Sequence, residues 1–389
     1  MSNQKKIKVL ETIRQGKIGG GETHVLDLVR ELDKETYEPV VLSFTDGPMV
    51  DALKAMGIKT YVIHTETPFD IRIWKEVRQL LQKEEVDVLH AHGTRANSNT
   101  FWSARQLGIP VIYTVHGWSF HQDQPLLVRR FRTMGEKLLV NNADITVCVS
   151  ESNHRDGLSL FGKNHTTVIR NGVNIQKFNP DGAYKDIRSE FGIPQNTLLI
   201  GYIARITKQK DPLTLVRAIA QIPENLHMHF LVVGDGDLKA EMLQLAEQLL
   251  VKDRITFVPF RQDVPDILQA IDIYCLPSLW EGLPIGLLEA MAMRKAVVAS
   301  AIDGTEEVIS SGENGLLIPP SSPKKLAEAI ILLAHDEALR QKLSVAAQAT
   351  VATTYNVQEM ARQVENLYKE VLSATGKSEV QGQAEALTA

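Results

Sequence analysis

Short apolar runs alternate with helical stretches along almost the whole chain, and they fall into two series with a break between them. The first series reads IKVL, PVVLSF, TYVI, DVLHAH, PVIYTVH, ITVCVS and TTVIRNGV. Between these runs, Glu22 to Leu32 sets Val25, Leu28, Val29 and Leu32 on one helical face, and Ile73 to Leu81 does the same with Val77, Leu80 and Leu81. A strand-length apolar run followed by an amphipathic helix is a βα unit, and consecutive units predict a mostly parallel sheet covered by helices. The turn residues Asn179-Pro180-Asp181-Gly182 then interrupt the pattern. A second series follows: LLIGYIAR, HMHFLVVG, RITFVPF, DIYCLPS, AVVAS and NGLLIPP. The expectation is an α/β chain of two facing Rossmann-like, doubly wound domains with a cleft between them, residues 1–178 and 179–355. A last helix over 356–375 would cross back to the N-terminal domain, and the small, polar residues 376–389 would form a disordered tail.

Composition narrows the function classes. The 42 basic and 47 acidic side chains give a net charge of −5, so the chain as a whole is no electrostatic trap for nucleic acid. Cys148 and Cys275 each sit inside an apolar strand-like run and are expected to be buried free thiols of a cytoplasmic protein. The apolar run ahead of Glu11 is too short for a signal peptide, and no apolar stretch reaches the roughly 18 residues a membrane span needs.

In doubly wound sheets ligands bind beyond the carboxyl ends of the strands, and three such places carry suggestive residues. Gly19-Gly20-Gly21-Glu22 follows the opening strand and starts a helix, where close backbone approach and free N–H groups suit an anion. The GxGxxG order of dinucleotide binders is missing, which disfavours a dehydrogenase. Arg205 and Lys210 flank the loop after LLIGYIA, where a planar fork and a movable point charge could grip a diphosphate. Lys208 reads as a solvated neighbour. Glu281-Gly282-Leu283-Pro284-Ile285 follows the strand DIYCLPS and enters a helix holding Glu289, with Pro284 suited to a first helical turn. Its N–H groups and dipole would face an anion, and its carboxylates would accept hydrogen bonds from sugar hydroxyls.

Together these residues resemble a known family. EGLPIGLLE, with Glu281 and Glu289 separated by seven residues, looks like the EX7E motif of retaining GT-B glycosyltransferases, and its surroundings resemble glycosyltransferase family 4. The Gly19-Gly20-x-Glu22 loop, the Arg205…Lys210 pair, the turn VVGDGDL, and DGTEEVI with ENGLLIPP resemble further motifs of that family, in the right order from about residue 7 to 372. The resemblance implies a transferase that moves a sugar from a nucleotide-diphospho-sugar to a hydroxyl acceptor in polysaccharide or glycoconjugate biosynthesis. Arg205 and Lys210 would neutralise the departing diphosphate. Gly19, Gly20, Gly282, Pro284 and the N–H groups of Leu283 and Ile285 would line the donor, Glu289 would hold the ribose, and Glu281 the sugar hydroxyls. Phe260, Arg261 and Gly234 would lie near the nucleobase. His116, after VIYTVH, matches the family's histidine and would hydrogen-bond a substrate. The chain departs from the family in having Gly117 after His116 and Asp211 after Lys210. No nucleophile stands out for a double displacement, so same-face substitution is expected. No DxD motif lies at a strand end apart from Asp235-Gly236-Asp237 in the VGDG turn, so neither a metal nor another cofactor is expected.

The acceptor is written less plainly. His92 and Arg95 of HAHGTR, and Trp118 of the aromatic cluster Trp118, Phe120 and His121, which could stack on a sugar or equally form a packed plug, are the acceptor-side candidates. His90 and His92 alone lack a third metal ligand in sequence. In Leu126–Met134, apolar residues interleave with Arg129, Arg130 and Arg132, which fits either an interfacial helix at the inner face of the membrane or a helix docked by its apolar face. The first reading goes with a lipid-linked acceptor, the second with a sugar or other small soluble molecule. A sugar-nucleotide epimerase of the same fold and a non-catalytic sugar-nucleotide binder are the alternatives; turnover of donor without acceptor would mark the epimerase.

Overall fold

The computed structural model describes residues 5–120, 124–162 and 166–374. His121 of the aromatic cluster and the tail 376–389 lie outside the described residues. The chain divides into two compact units, one running to Asn171 and resuming at Val357, the other spanning Gly172–Asn356. The turn at 179–182 predicts a later joint than this. Asn171 is bound to His24 of the first unit at 3.0 Å, whereas Val173 donates its N–H to the Tyr355 carbonyl at 2.8 Å in the second.

In the first unit the described strands are β1 (Ile7–Ile13), β2 (Tyr37–Ser43), β3 (Lys59–Val62), β4 (Val88–His92), β5 (Val111–Val115), β6 (Ile145–Cys148) and β7 (Thr166–Val168). They form one parallel sheet in the order β3-β2-β1-β4-β5-β6-β7. The order reverses between β1 and β4, so the loops beyond those two strands diverge and leave a crevice. Strand alternation puts Val9, Val88 and Ile112 on one face, against Met360, Val364 and Tyr368 of the helix Val357–Ala374. Leu10, Leu89 and Tyr113 point the other way, into a core with Val77, Leu81 and Phe101. The last helix is therefore part of the first unit's core, as expected of a helix that returns to the N-terminal domain.

The second unit repeats the design with β8 (Leu198–Ile203), β9 (Met228–Val233), β10 (Ile255–Val258), β11 (Ile273–Leu276), β12 (Ala296–Ser300) and β13 (Leu316–Ile318). Their order is β10-β9-β8-β11-β12-β13, again parallel, with the reversal between β8 and β11. Ile200, Tyr202, Val216, Phe230, Ile273 and Val298 form its core. Cys148 and Cys275 are buried free thiols, and burial pushes the Cys148 thiol up to about 12. Each sheet thus offers one topological switch point, and most of the predicted site residues gather at these two places.

Candidate active site

At the second unit's switch point, two loops cross closely just beyond β8. Ile206 N–H donates to the Asp235 carbonyl at 2.9 Å, and Leu238 N–H to the Ile206 carbonyl at 3.0 Å. A Cβ on Gly234 would lie 2.0 Å from the Ala204 carbonyl oxygen, so only glycine allows this crossing. Gly234 therefore shapes the loop that carries Arg205, which is exposed. A single 3₁₀ turn, Lys208–Lys210, follows. Asp211 then takes a left-handed φ of +43° and caps the helix Pro212–Ile219, accepting from the Thr214 hydroxyl at 2.7 Å. Aspartate is among the few side chains that tolerate that conformation, which explains how it stands where the family has glycine.

Lys210 and Glu281, assigned separate tasks by the sequence reading, are bound to each other. The Lys210 ammonium donates to Glu281 Oε1, which also accepts from the Ser278 hydroxyl at 2.7 Å. Gln209 Nε2 reaches Glu281 Oε2 at 3.2 Å and the Trp280 carbonyl at 2.9 Å. The two charged side chains are only 17% and 6% exposed, so each offsets much of the other's cost of burial. Gln209 and Ser278 were not singled out in sequence, where nothing marks them. They come from the ends of β8 and β11, strands far apart in the chain and adjacent in the sheet.

The helix Ile285–Ala292 begins beside this cluster, with Pro284 at its N-cap rather than inside its first turn. Its first N–H groups have no carbonyl one turn earlier, so they and the positive end of the helix dipole are available to an anion. Leu283 and Ile285 are buried, and Gly282 is pressed against Gly304, whose Cβ, if present, would lie 2.0 Å from the Gly282 carbonyl oxygen. Glu289 lies one turn into the helix. Phe260 is exposed, and its N–H donates to Asp235 at 2.8 Å. Asp235 also takes Lys239 at 2.5 Å. Arg261, expected near a nucleobase, instead holds Asp263, with Nε to Oδ1 at 2.8 Å, and Glu190. Hydrogen bonds to Asp263 and then Glu190 raise its pKa further, so this guanidinium is a tie between two loops.

At the first unit's switch point a polar cluster is sealed into the sheet. Alternation along β4 puts His90 and His92 on the face of Val88, and β5 does the same for Thr114 and, just past its end, His116. Glu11, fully buried in β1, lies beside His90 in register. Its carboxylate accepts from the Tyr368 hydroxyl at 2.6 Å and is 2.8 Å from His92 Nε2 and 3.2 Å from His90 Nδ1. His90 Nε2 is 2.7 Å from the Thr114 hydroxyl, and His92 Nδ1 is 3.2 Å from His116 Nε2. His24 stands edge-on to His116 with ring centroids 4.8 Å apart. Burial, then the neighbouring His90, lowers His92 to about 4; burial, then His92, lowers His24 to about 3; His116 is driven well below its usual value by the same causes. Burial would raise the Glu11 carboxyl, but His90 and His92 prevail and hold it well below the usual range.

The absence of a third metal ligand beside His90 and His92 is thereby corrected. His24, His92 and His116 offer ring nitrogens within 4.8 Å of one another, as do Glu11, His90 and His92 with their own ligand atoms. The sheet supplies what the linear sequence hides. Glu11, His24 and Tyr368 were missed, and the available signal for the first was a lone acid inside the apolar run IKVLETI.

The glycine loop meets the same cluster. Gly19 caps the helix Gly20–Glu31, and a Cβ on Gly21 would stand 3.4 Å from the His116 ring, while Gly20 has open space. Arg95 is half-buried on the helix Thr94–Gln106, its pKa lowered by burial and by Arg14 nearby. Trp118 requires a correction as an acceptor-stacking residue. It is buried, its Nε1–H donates to the Asn153 carbonyl at 2.8 Å, and its ring is stacked on Phe120 and packed against Phe161.

The helix Leu126–Asn142 docks through Glu136, Leu139 and Val140. Glu136 accepts from the Thr94 hydroxyl at 2.7 Å and the Tyr113 hydroxyl at 2.8 Å. The docked-apolar-face expectation for Leu126–Met134 is thus overturned: Leu126, Leu127, Val128, Phe131 and Met134 are 41–75% exposed, as is Leu138 at 47%. No helix among the described residues is long and apolar enough to cross a membrane.

The family model of glycosyl transferases group 1 matches residues 184–350, and that of glycosyltransferase family 4 matches 18–177. The UDP-Gal:alpha-D-GlcNAc-diphosphoundecaprenol alpha-1,3-galactosyltransferase of Escherichia coli is 25% identical over 386 residues, covering 94% of this chain and 98% of that protein. The N-acetyl-alpha-D-glucosaminyl L-malate synthase of Bacillus anthracis is 25% identical, covering 81% and 83%. Among solved structures, Anabaena HepE in complex with UDP and glucose matches with a TM-score of 0.81 at 23% identity, covering 93% of this chain and 99% of that one. That likeness extends to the fold of both units.

Proposed function

The chain belongs to the group 1 and family 4 glycosyltransferases, and we propose that it moves a sugar from a uridine-diphospho-sugar to a lipid-linked acceptor with retention of configuration. The observation that carries the donor half is the cationic strand-end loop holding Arg205 and the Lys210–Glu281 pair beside a helix N-terminus. As the glycosidic bond breaks, negative charge grows on the diphosphate. Arg205, Lys210 and the first N–H groups of the helix Ile285–Ala292 are fixed where such charge would be met, without a divalent ion. Glu281, held by Lys210, Gln209 and Ser278, orients the sugar hydroxyls, and Glu289 receives the ribose. The leaving phosphate helps accept the acceptor's proton on the same face, and His116 hydrogen-bonds a substrate hydroxyl in the first unit. The choice of uridine follows the Escherichia coli relative, named for UDP-Gal, and the UDP-bound Anabaena structure.

A thermal-shift screen of nucleoside diphosphates tests the donor. UDP is expected to raise the Tm of the wild-type protein more than ADP or GDP does. Arg205→Ala should weaken UDP binding about tenfold or more by loss of a charge-assisted contact; equal affinity in both proteins would remove Arg205 from the clamp.

The acceptor half rests on the helix Leu126–Asn142. Leu127, Phe131, Met134 and Leu138 recur at the spacing of one helical face and are all exposed, and Arg129, Arg130, Arg132 and Lys137 lie on the same helix. Arg130 and Lys137 border this apolar face, an arrangement that fits an anionic membrane surface, with each cation worth about 1 kcal/mol there. This is the placement an acceptor built on a lipid diphosphate requires. Co-sedimentation with vesicles containing phosphatidylglycerol should fall about tenfold when Leu127 and Phe131 become serine, and also when Arg130 and Lys137 become glutamine. Unchanged co-sedimentation in both variants would point to a soluble acceptor.

A further inference from the structure

His116 has two ring nitrogens, and which of them carries the proton decides whether it can accept or donate at a substrate. The buried cluster behind it fixes the answer. We infer that Glu11 and His92 are positioning residues that hold His116 with its proton on Nε2, so that Nδ1 presents a lone pair to a substrate hydroxyl. This rests on the reading of His116 as a substrate-contacting residue.

The hydrogen bonds run outward from Glu11. Three groups converge on its carboxylate: the Tyr368 hydroxyl at 2.6 Å, His92 Nε2 at 2.8 Å and His90 Nδ1 at 3.2 Å. An ionised carboxylate only accepts, so His92 Nε2 carries a proton; the Tyr368 hydroxyl spends its own proton on Glu11, so its oxygen, 2.8 Å from His90 Nδ1, accepts from that nitrogen. His90 then accepts from the Thr114 hydroxyl at Nε2, 2.7 Å away, and its polar atoms are satisfied. His92, buried and neutral, has spent its single proton on Glu11 and is left with a lone pair at Nδ1. That lone pair faces His116 Nε2 at 3.2 Å. Two lone pairs at that distance would repel, so His116 Nε2 must be the donor. His116 is itself neutral, which leaves Nδ1 as its acceptor, with no hydrogen bond from the described residues to occupy it. The ring is also the only one of the three central histidines that is partly exposed, His24 and His92 being buried.

This arrangement has a chemical consequence. A hydroxyl that donates to His116 Nδ1 has its oxygen made more nucleophilic. Any positive charge that develops on the ring is met through Nε2–H to His92 and through His92 Nε2–H to the Glu11 carboxylate. No proton needs to travel along the chain; Glu11 acts by orientation and charge, as a buried acid does behind a catalytic histidine. Among the described residues, the buried atom of this cluster that lacks a partner is His24 Nε2. It sets the competing possibility: His24 Nε2, His92 Nδ1 and His116 Nε2 could together hold a transition-metal ion, with Glu11 and Asn171 as outer partners.

Nitrogen-15 NMR of the full-length protein with labelled histidine, assigned by loss of the His116 signals in His116→Gln, tests the inference. At pH 7.5 the wild-type His116 is expected to show a protonated Nε2 and an unprotonated Nδ1. His92→Leu removes the acceptor and should let His116 populate both tautomers, lowering kcat about tenfold to hundredfold while the donor KM moves less than twofold. His92→Gln, whose amide oxygen can accept from His116 Nε2, should recover most of the loss. A wild-type His116 protonated at Nδ1 overturns the inference, and this measurement decides even if His92→Leu fails to fold. One equivalent of Zn²⁺ bound with shifts of all three histidines would overturn it in favour of the metal. If the tautomer is as inferred and His116→Gln transfers sugar at the wild-type rate, the substrate-contacting role of His116 fails instead.

Discussion

Replacing Lys210 by alanine is expected to lower kcat/KM for sugar transfer by about 10²–10³-fold, the largest loss of activity for any single substitution in the second unit. Two effects combine. The first is chemical: the ammonium meets charge that exists fully only once the glycosidic bond is breaking, so its removal falls on kcat more than on donor binding. The second is electrostatic: Glu281, 6% exposed and paired with Lys210, would be left as a buried carboxylate with only Ser278 and Gln209 as donors. Breaking one side of such a buried pair costs about 3–5 kcal/mol, more than the intact pair itself contributes. Lys210→Ala should therefore melt several degrees below the wild type as well as turn over slowly. Lys210→Met combined with Glu281→Gln separates the two effects. The double variant removes the stranded charge and should recover much of the lost Tm, yet it should be no more active than Lys210→Ala. Steady-state kinetics and melting curves of the three variants give the comparison. Activity within threefold of wild type in Lys210→Ala would mean that Arg205 and the helix N-terminus carry the diphosphate alone.

The fold was legible because parallel βα units write themselves into local pattern. Every strand of both sheets lies within or beside an apolar run, and the helix Val357–Ala374 follows its apolar spacing. The glycine-rich turn, Arg205, Lys210 and the Glu281 segment were legible for a related reason: residues at strand ends sit next to punctuation that a linear reading sees. Contacts across a sheet are different. Lys210 with Glu281, or Glu11 with His92, join strands whose adjacency depends on strand order, and that order is set by crossovers rather than by any local residue. Trp118 and Arg261 show the converse error. An aromatic or an arginine in a loop reads as available, but one is packed against Phe120 and Phe161 and the other is held by two carboxylates. The exposed leucines of the helix Leu126–Asn142 illustrate a third case. Periodicity identifies an apolar face without saying whether anything covers it.

The buried histidines of the first unit should also make the protein acid-labile well above the pH at which carboxylates titrate. His92 is lowered to about 4 and His24 to about 3, and His116 is depressed as well, all by burial first and then by one another. In the unfolded chain each titrates near 6.5. Between that value and the folded one, the unfolded chain binds the proton and the folded chain does not, so stability falls as pH falls. Full stability holds above about pH 6.5, and each histidine subtracts about 1.4 kcal/mol per pH unit below it. At pH 5 that is about 2 kcal/mol each for His92 and His24, with His116 acting in the same direction, a sum that is a large fraction of the whole stability of an ordinary domain. Glu11 has the same sign but acts later, since its lowered carboxyl loses its contribution only below the unfolded value of 4.5. Arg14 adds to the depression of His116. The expected result is a drop in Tm of at least about 10 °C between pH 7.5 and 5.0. If the two units melt separately, most of the drop should belong to the first, because His229, lowered and half-buried in the second, has no such cluster around it. His24→Gln, which removes one of the titrating rings, should shrink the drop measurably. A Tm that stays level from pH 7.5 to 5.0 would mean that the cluster takes up its protons in the folded state, and the neutral rings on which the hydrogen-bond order from Glu11 to His116 depends would be lost with it.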